Sequence, residues 1–352
     1  MEEKTNIYGL TLEQLATQMV GLGQKTFRGK QLFSWLYQKD VRDFSAMSDV
    51  SKSFQEVLNN KYSLNVPHIF TKQLSEDGTI KLLLELEDGQ KVETVLMHYI
   101  YGDAICVTSQ VGCNMGCAFC ASGLLKKKRN LETYEMIGQL IVLNDVLKEI
   151  DPSRKVTHIV VMGTGEPFDN YTNVINFIKI ANSQFGLSIG ARHITVSSSG
   201  VIPGILQYGK EGLQVNLAIS LHAPNNEIRN KIMPINKAYP LEELIPAIIQ
   251  YGVDSGGRRV TYEYIMIQGL NDSEDNAREL IELIKPTFGY VNLIPYNEVM
   301  ENDFKRSSNN RIHRFHEILL AAGIKSTIRK EFGADIDAAC GQLRARYEKR
   351  QG

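Results

Sequence analysis

Ala104-Ile105-Cys106-Val107 reads as an apolar strand, and six residues later Cys113-Asn114-Met115-Gly116-Cys117-Ala118-Phe119-Cys120 sets three cysteines at the spacing C-x3-C-x2-C. A strand that stops just before a loop dense in ligating residues is the first sign of how this chain is built. Three thiolates this close can hold three irons of a 4Fe–4S cluster. No fourth ligand follows, since Cys120 leads into Ala121-Ser122-Gly123-Leu124. One iron is then left open, and an open coordination position is where chemistry can occur. The alternatives are a structural zinc knuckle and a buried loop. Zinc sites usually close with a fourth Cys or His at short spacing.

The loop's surroundings give it a fold. From about residue 100 the pattern repeats as strand, loop, helix. It predicts strands at 105–108, 158–162, 193–197, 215–221, 260–267 and 291–294. Helices are expected at 134–149, 174–184, after Pro203, and at 241–251, 275–285 and 310–322. Such alternation means an α/β fold, a parallel sheet with helices outside. Six units make a partial (β/α)6 TIM-like barrel, and function then gathers at the C-terminal ends of the strands.

Polar groups stand where these strands stop. The second strand runs into Met162-Gly163-Thr164-Gly165-Glu166-Pro167. A glycine pair after a strand can be a phosphate-binding turn, but the full G-x-G-x-x-G pattern is absent and Glu166 would repel phosphate. An acid beside permissive glycines suits a cation such as an ammonium. The third strand ends in Ser197-Ser198-Ser199-Gly200, the fourth in Ser220-Leu221-His222-Ala223-Pro224, the sixth in Pro295-Tyr296-Asn297. Two cysteines lie apart, Cys106 inside the first strand and Cys340 among Ala338, Ala339 and Gly341. A lone cysteine is most often a small buried hydrophobe, although small neighbours let a thiol reach a crowded site.

The chain has 352 residues, 43% hydrophobic and 22% charged, the balance of an ordinary globular protein. No apolar run reaches the ~18 residues of a membrane span. The polar N-terminus does not read as a signal or transit peptide. Five cysteines, three of them clustered, do not resemble a disulfide framework, so a cytoplasmic location is expected. The net charge is −1, so a nucleic-acid partner would rely on local patches. One candidate is Lys126-Lys127-Lys128-Arg129, and another is the tail with Arg344, Arg346, Lys349 and Arg350. Residues 1–66 read as short helices around a basic glycine turn at 21–30, which fits a nucleic-acid-contacting appendage and a plain packing domain alike. Residues 67–98 read as a β-meander linker, 99–330 as the core and 331–352 as a C-terminal segment.

Taken together, these segments resemble the RlmN-type adenine C2 methyltransferases of the radical S-adenosylmethionine (SAM) superfamily. The likeness rests on the cluster loop, Phe33-Ser34-Trp35-Leu36-Tyr37, Val92-Glu93-Thr94-Val95, Gly163-Thr164-Gly165-Glu166-Pro167, Ser220-Leu221-His222-Ala223-Pro224, Met233-Pro234-Ile235-Asn236 and Asp335-Ile336-Asp337-Ala338-Ala339-Cys340-Gly341-Gln342-Leu343. It implies a radical SAM barrel that binds a 4Fe–4S cluster through Cys113, Cys117 and Cys120 and takes two SAM molecules per turnover. SAM would be held by Gly165, Glu166, Ser197, Ser220, Leu221, His222 and Asn297. Cys340 would carry the methyl, Cys106 would resolve the intermediate and Glu93 would take the proton.

The chemistry implied by the resemblance has two stages. C2 of adenine is electron-poor, and an electrophilic methyl cannot add to it by displacement. The Cys340 thiolate first takes a methyl from one SAM. A 5′-deoxyadenosyl radical from a second SAM then removes a hydrogen from that methyl, and the resulting carbon radical adds to C2. Proton loss and attack by Cys106 release the product and leave a Cys106–Cys340 disulfide, which thiol exchange must reduce. The implied substrates are adenosine 2503 of 23S rRNA and adenosine 37 of tRNAs, with flavodoxin or ferredoxin as electron donor and a monomeric enzyme. The rivals are a Cfr-type adenine C8 methyltransferase, whose motif generally has Ala where this chain has Pro167, and a non-catalytic iron–sulfur or zinc RNA-binding protein.

Overall fold

The structure is a computed structural model that describes residues 4–299, 302–333 and 335–336. At the N-terminus, Thr5–Asn6 (β1) pairs in parallel with Tyr62–Ser63 (β2) and closes a unit of three helices, Leu12–Gly21 (α1), Phe27–Tyr37 (α2) and Lys52–Lys61 (α3). A capping box starts α1, with Thr11 and Gln14 each bonding the other's backbone N–H. The basic glycine stretch is a turn only at its start, because α2 already begins at Phe27. Gly29 lies where the two helices cross, and a Cβ there would stand 2.5 Å from the Ala16 Cα. Close approach, not turn geometry, accounts for that glycine. The unit is anchored to the core through Arg42, whose guanidinium lies 3.0 Å from the Asp145 carboxylate.

Ten strands form one sheet. His68–Leu74 (β3), Ile80–Glu85 (β4), Lys91–Tyr99 (β5) and Gly102–Cys106 (β6) run antiparallel. Two short strands, Gln110–Val111 (β7) and Arg129–Asn130 (β8), close the base of the cysteine loop. The parallel part continues from β6 through Val156–Val161 (β9), Ile194–Ser198 (β10), Asn216–Ser220 (β11), Val260–Met266 (β12) and Gly289–Pro295 (β13) to Ser326–Ile328 (β14). The sheet order is β14-β13-β12-β11-β10-β9-β6-β5-β4-β3, so the meander extends the core sheet directly.

The connecting helices are Thr133–Ile150 (α4), Tyr171–Asn182 (α5), Ile202–Gly209 (α6), Asn226–Ile232 (α7), Leu241–Asp254 (α8), Glu274–Ile284 (α9) and Asn309–Ala321 (α10). Their apolar faces pack on the outer face of the sheet, where Ile105, Ile159, Val196, Leu217 and Leu293 are all buried. Alternate positions, among them Cys106 on β6, Val160 on β9 and Ser197 on β10, face the other way. The six β/α units are those expected from the sequence. β14 and α7, three and seven residues long, are added to them. Among the described residues, no helix is long and apolar enough to cross a membrane.

Candidate active site

A cavity of about 320 Å³ opens at the C-terminal ends of the parallel strands. Cys113, Cys117 and Cys120 all line it. So do Gly165 and Glu166 after β9, Ser197 on β10, Ser220 and His222 at the end of β11, and Asn297 after β13. Leu221 does not. It is fully buried, and its backbone carbonyl accepts from Arg229 Nε at 3.1 Å behind the cavity.

The cysteine loop is fixed at both ends. Gly112 adopts φ +81°, and a Cβ there would stand 2.2 Å from the Lys126 carbonyl, so only glycine lets the two arms of the loop meet. The Cys113 N–H donates to the Leu125 carbonyl at 2.8 Å. At the tip, the Ala118 N–H donates to the Ile232 carbonyl of α7 at 2.9 Å, and Asn302 Nδ2 donates to the Ala118 carbonyl at 3.1 Å. Burial pushes the Cys117 thiol up, and the neighbouring Cys120 and Cys113 push it further. Thiols held this way become thiolates only against a strong local positive charge such as bound iron. Among the described residues, no three His, Cys, Asp or Glu side chains converge tightly enough for a single metal ion. A 4Fe–4S cluster demands something different, because each thiolate holds its own iron. Three thiols around the rim of one cavity fit that demand.

Glu166 is buried, and burial raises its pKa while hydrogen bonds from Ser199 and Phe168 work the other way. Its Oε2 accepts from the Ser199 N–H at 2.7 Å and the Ser199 hydroxyl at 2.8 Å, and its Oε1 accepts from the Phe168 N–H at 3.1 Å. A carboxylate has about four acceptor positions, so little capacity remains for an ammonium. Glu166 chiefly ties the end of β9 to the end of β10. The same bonds separate the three adjacent serines. Ser199 is committed to Glu166, and Ser198 Oγ accepts from the N–H groups of Gly200 and Val201. Ser197 is left beside Ser220, with their hydroxyl oxygens 3.5 Å apart at the cavity.

His222 takes φ +58°, a left-handed conformation uncommon for a non-glycine residue. Its Nδ1 accepts from the Ile265 N–H at 3.1 Å, which puts the ring proton on Nε2, and its ring meets Phe119 edge-on at 4.8 Å. Burial, with the Arg229 charge adding to it, pulls its pKa down to about 3. The imidazole is therefore neutral at any working pH and serves as a fixed N–H donor, not a proton shuttle.

Glu93 and Cys106 share the inner face with Val95, which stands opposite Cys106 across β5 and β6. Both are buried, and neither is on the cavity wall formed by the described residues. Glu93 Oε2 lies 2.9 Å from Lys81 Nζ. Cys340 and the basic tail lie outside the described residues. The segment leading toward Cys340 crosses the site mouth. Phe332 lines the cavity and packs edge-on against Tyr99 at 4.6 Å. The Gly333 N–H then donates to Asp77 Oδ2 at 2.9 Å in the turn between β3 and β4.

The basic run beside the loop is less free than its sequence implies. Arg129 pairs with Glu135 at 2.7 Å and Asp88 at 2.8 Å, and Lys128 donates to Gln90 at 2.8 Å. Sequence reasoning missed Lys81, Arg229 and Phe332. Lys81 lies in a strand-like run and Arg229 in a polar stretch, and no local signal reveals that each is buried.

Known proteins resemble this chain over nearly its whole length. The profile of the ribosomal RNA large subunit methyltransferase N-terminal domain matches residues 5–64, and that of the radical SAM superfamily matches residues 107–281. The "Probable dual-specificity RNA methyltransferase RlmN" of Enterococcus faecalis is 51% identical over 352 residues, covering 99% of this chain and 98% of its own. The protein of the same name from Streptococcus agalactiae is 50% identical over 350 residues, covering 99% and 95%. Among solved structures, a radical SAM methyltransferase from Sphaerobacter thermophilus superposes with a TM-score of 0.90 at 42% identity, covering 97% of this chain and 99% of that one.

Proposed function

The chain belongs to the RlmN family of radical SAM RNA methyltransferases, and from that membership we propose that it methylates C2 of adenine in 23S rRNA and tRNA through a methylated cysteine. The observation that carries the reading is the meeting of three thiols and the polar ends of β9, β10, β11 and β13 around one cavity.

Cys113, Cys117 and Cys120 would hold the 4Fe–4S cluster. Gly165, Ser197, Ser220, His222 and Asn297 would line the seat of SAM, with Glu166 and Leu221 fixing the loops behind it. When bound, the two groups supply one-electron chemistry and the transferable methyl. The remaining work belongs to side chains of this chain. Ser197 and Ser220 offer paired hydroxyls, and His222 offers an Nε2–H that stays put because its Nδ1 is already bonded to the backbone. Phe119 and Phe332 wall the cavity with apolar surface and help exclude water. Cys340 takes the methyl. Glu93, on the inner face beside Cys106, takes the C2 proton on a carboxylate oxygen, and Cys106 attacks Cys340 to free the product. These roles for Cys340, Glu93 and Cys106 rest on the family resemblance and, for the latter two, on their shared position on the inner face.

We assign RNA contact to residues 1–66, where Phe27 is exposed and the Arg28 guanidinium lies 5.1 Å from its ring centroid. Residues 67–98 and 99–330 act together as the catalytic sheet, and 331–352 bring Cys340 to it. A flavodoxin or ferredoxin supplies the electron, and the enzyme works as a cytoplasmic monomer.

The test is anaerobic turnover on rRNA fragments and tRNA, followed by mass spectrometry of the nucleosides. 2-Methyladenosine is expected from both. 8-Methyladenosine without 2-methyladenosine would overturn the C2 assignment.

A further inference from the structure

Among the described residues, Arg229 is the largest fully buried side chain, with no exposed surface. Its guanidinium donates to the carbonyls of Ser199 at 2.6 Å, Leu221 at 3.1 Å and Ser220 at 3.3 Å, and to Asn236 Oδ1 at 2.8 Å. All four partners are neutral. Among the described residues, no carboxylate lies within ion-pair reach of it. A buried charge is ordinarily paired, since the desolvation cost otherwise stands uncompensated. Carbonyl dipoles recover part of that cost and leave the positive charge intact.

The position of Arg229 indicates what balances it. It sits on α7, one turn before Ile232, whose carbonyl holds the cysteine loop through the Ala118 N–H at 2.9 Å. Cys117 and Phe119 pack on Ala223, Ile228, Ile232 and Met233 of the same element and its flanks. Arg229 thus belongs to the helix on which Cys117 packs. Glu166, at the end of β9, connects to Arg229 only through Ser199, and its oxygens accept from Ser199 and Phe168.

We propose that Arg229 is the internal counter-charge of the three-thiolate iron–sulfur cluster, a positioning residue that holds the ends of β10 and β11 while its charge stabilises the electron-loaded form of the cluster. The inference rests on the cluster reading above. Three thiolates leave the cluster anionic and an added electron makes it more so, so a fixed positive charge nearby favours reduction and raises the midpoint potential. A purely structural arginine would supply the same hydrogen bonds and leave the potential indifferent to its charge.

The experiment compares Arg229→Lys, which keeps the charge, with Arg229→Gln, which removes it. Both lose most of the forked bonding. The full-length protein is reconstituted anaerobically, its iron and sulfide are assayed, and its midpoint potential is followed by electron paramagnetic resonance as dithionite delivers one electron per cluster. The wild-type iron and sulfide content tests the cluster reading by itself. The proposal expects Arg229→Lys to hold a cluster near the wild-type potential. It expects Arg229→Gln either to hold one at a clearly lower potential or to fail to hold one that Arg229→Lys retains. Two variants that behave alike, both near the wild-type potential or both without a cluster, would overturn it, as would a lowered potential in Arg229→Lys alone.

Discussion

Lys81 Nζ lies 2.9 Å from Glu93 Oε2, with no exposure at the lysine side chain and 4% at the glutamate. The two residues stand on adjacent antiparallel strands, where Leu83 faces Glu93 and Lys81 faces Val95, so the pair is diagonal across β4 and β5. Sheet geometry brings them within reach on the inner face, on the same side as Cys106. A charged pair so fully withdrawn from water contributes little net stability, but removing one member alone is costly.

That asymmetry separates fold from chemistry. Lys81→Met should lower stability by about 3 kcal/mol, the usual cost of breaking a buried pair from one side. Adding Glu93→Gln to it should recover much of the loss, because the second charge is then gone as well. Methylation should not return, since an amide cannot take the C2 proton. Denaturant melts and nucleoside mass spectrometry on the single and double variants measure the two quantities. Recovery of activity in the double variant would remove Glu93 from proton transfer.

The turn after β9 admits only glycine at position 165. Its φ is +116°, and a Cβ there would stand 2.6 Å from the Gln110 Cβ and 2.9 Å from the Ser109 hydroxyl. Gly165→Ala should displace Glu166 and weaken SAM binding by about fivefold or more in equilibrium dialysis, from strain of order 1–3 kcal/mol. Gly21→Ala is the control. Nothing stands within 4 Å of that position, at the end of α1, and the added methyl should leave binding unchanged while stability holds or rises by up to ~1 kcal/mol.

His222 makes a prediction about pH. Burial, and behind it Arg229, lowers its folded pKa from 6.5 to about 3. Its contribution is fully present above the unfolded value. As pH falls from 6.5 toward 3 the unfolded chain takes a proton that the folded one refuses, and stability is lost across that window. His222→Asn can keep an acceptor for the Ile265 N–H and tolerates positive φ. Its melting temperature should fall less steeply than the wild type's between pH 6.5 and 4. An unchanged slope would mean that His222 titrates normally in the folded chain.

The parts of this protein legible in the sequence are those that obey a local period. The six β/α units follow from alternating apolar runs, and the cysteine spacing marks its loop without any knowledge of the fold. Local chemistry alone left the serines at 197, 198 and 199 equivalent. Their separation depends on Glu166, 33 residues from Ser199, reaching across a strand to claim it. Arg229 lies in Asn225-Asn226-Glu227-Ile228-Arg229-Asn230-Lys231, a polar stretch with no local sign of burial. Only the closure of α7 against the ends of β10 and β11 buries it. Long-range burial of polar groups is a property of topology, and no window of neighbouring residues contains it.

The last prediction concerns the route by which Cys340 is brought to the site. The Gly333 N–H bonds Asp77 Oδ2 at 2.9 Å, the Glu76 N–H bonds Asp335 Oδ2 at 3.1 Å, and the Ser75 hydroxyl also reaches Asp335. Burial works against Asp77, but the N–H of Gly333 together with Thr79 and Ser75 draws its pKa down to about 2, so the tether is charged throughout the working range. Cys340 follows Asp335 by five residues in the sequence, and a fixed anchor that near shortens the search of its thiol for the methyl donor. Asp77→Asn combined with Ser75→Ala should slow the methylation of Cys340 several-fold, read as the gain of one methyl in the intact protein mass when SAM is supplied without RNA. SAM affinity should hold, because neither residue lines the cavity. An unaltered rate of Cys340 methylation would show that the turn between β3 and β4 merely rests against the C-terminal segment and does not position it.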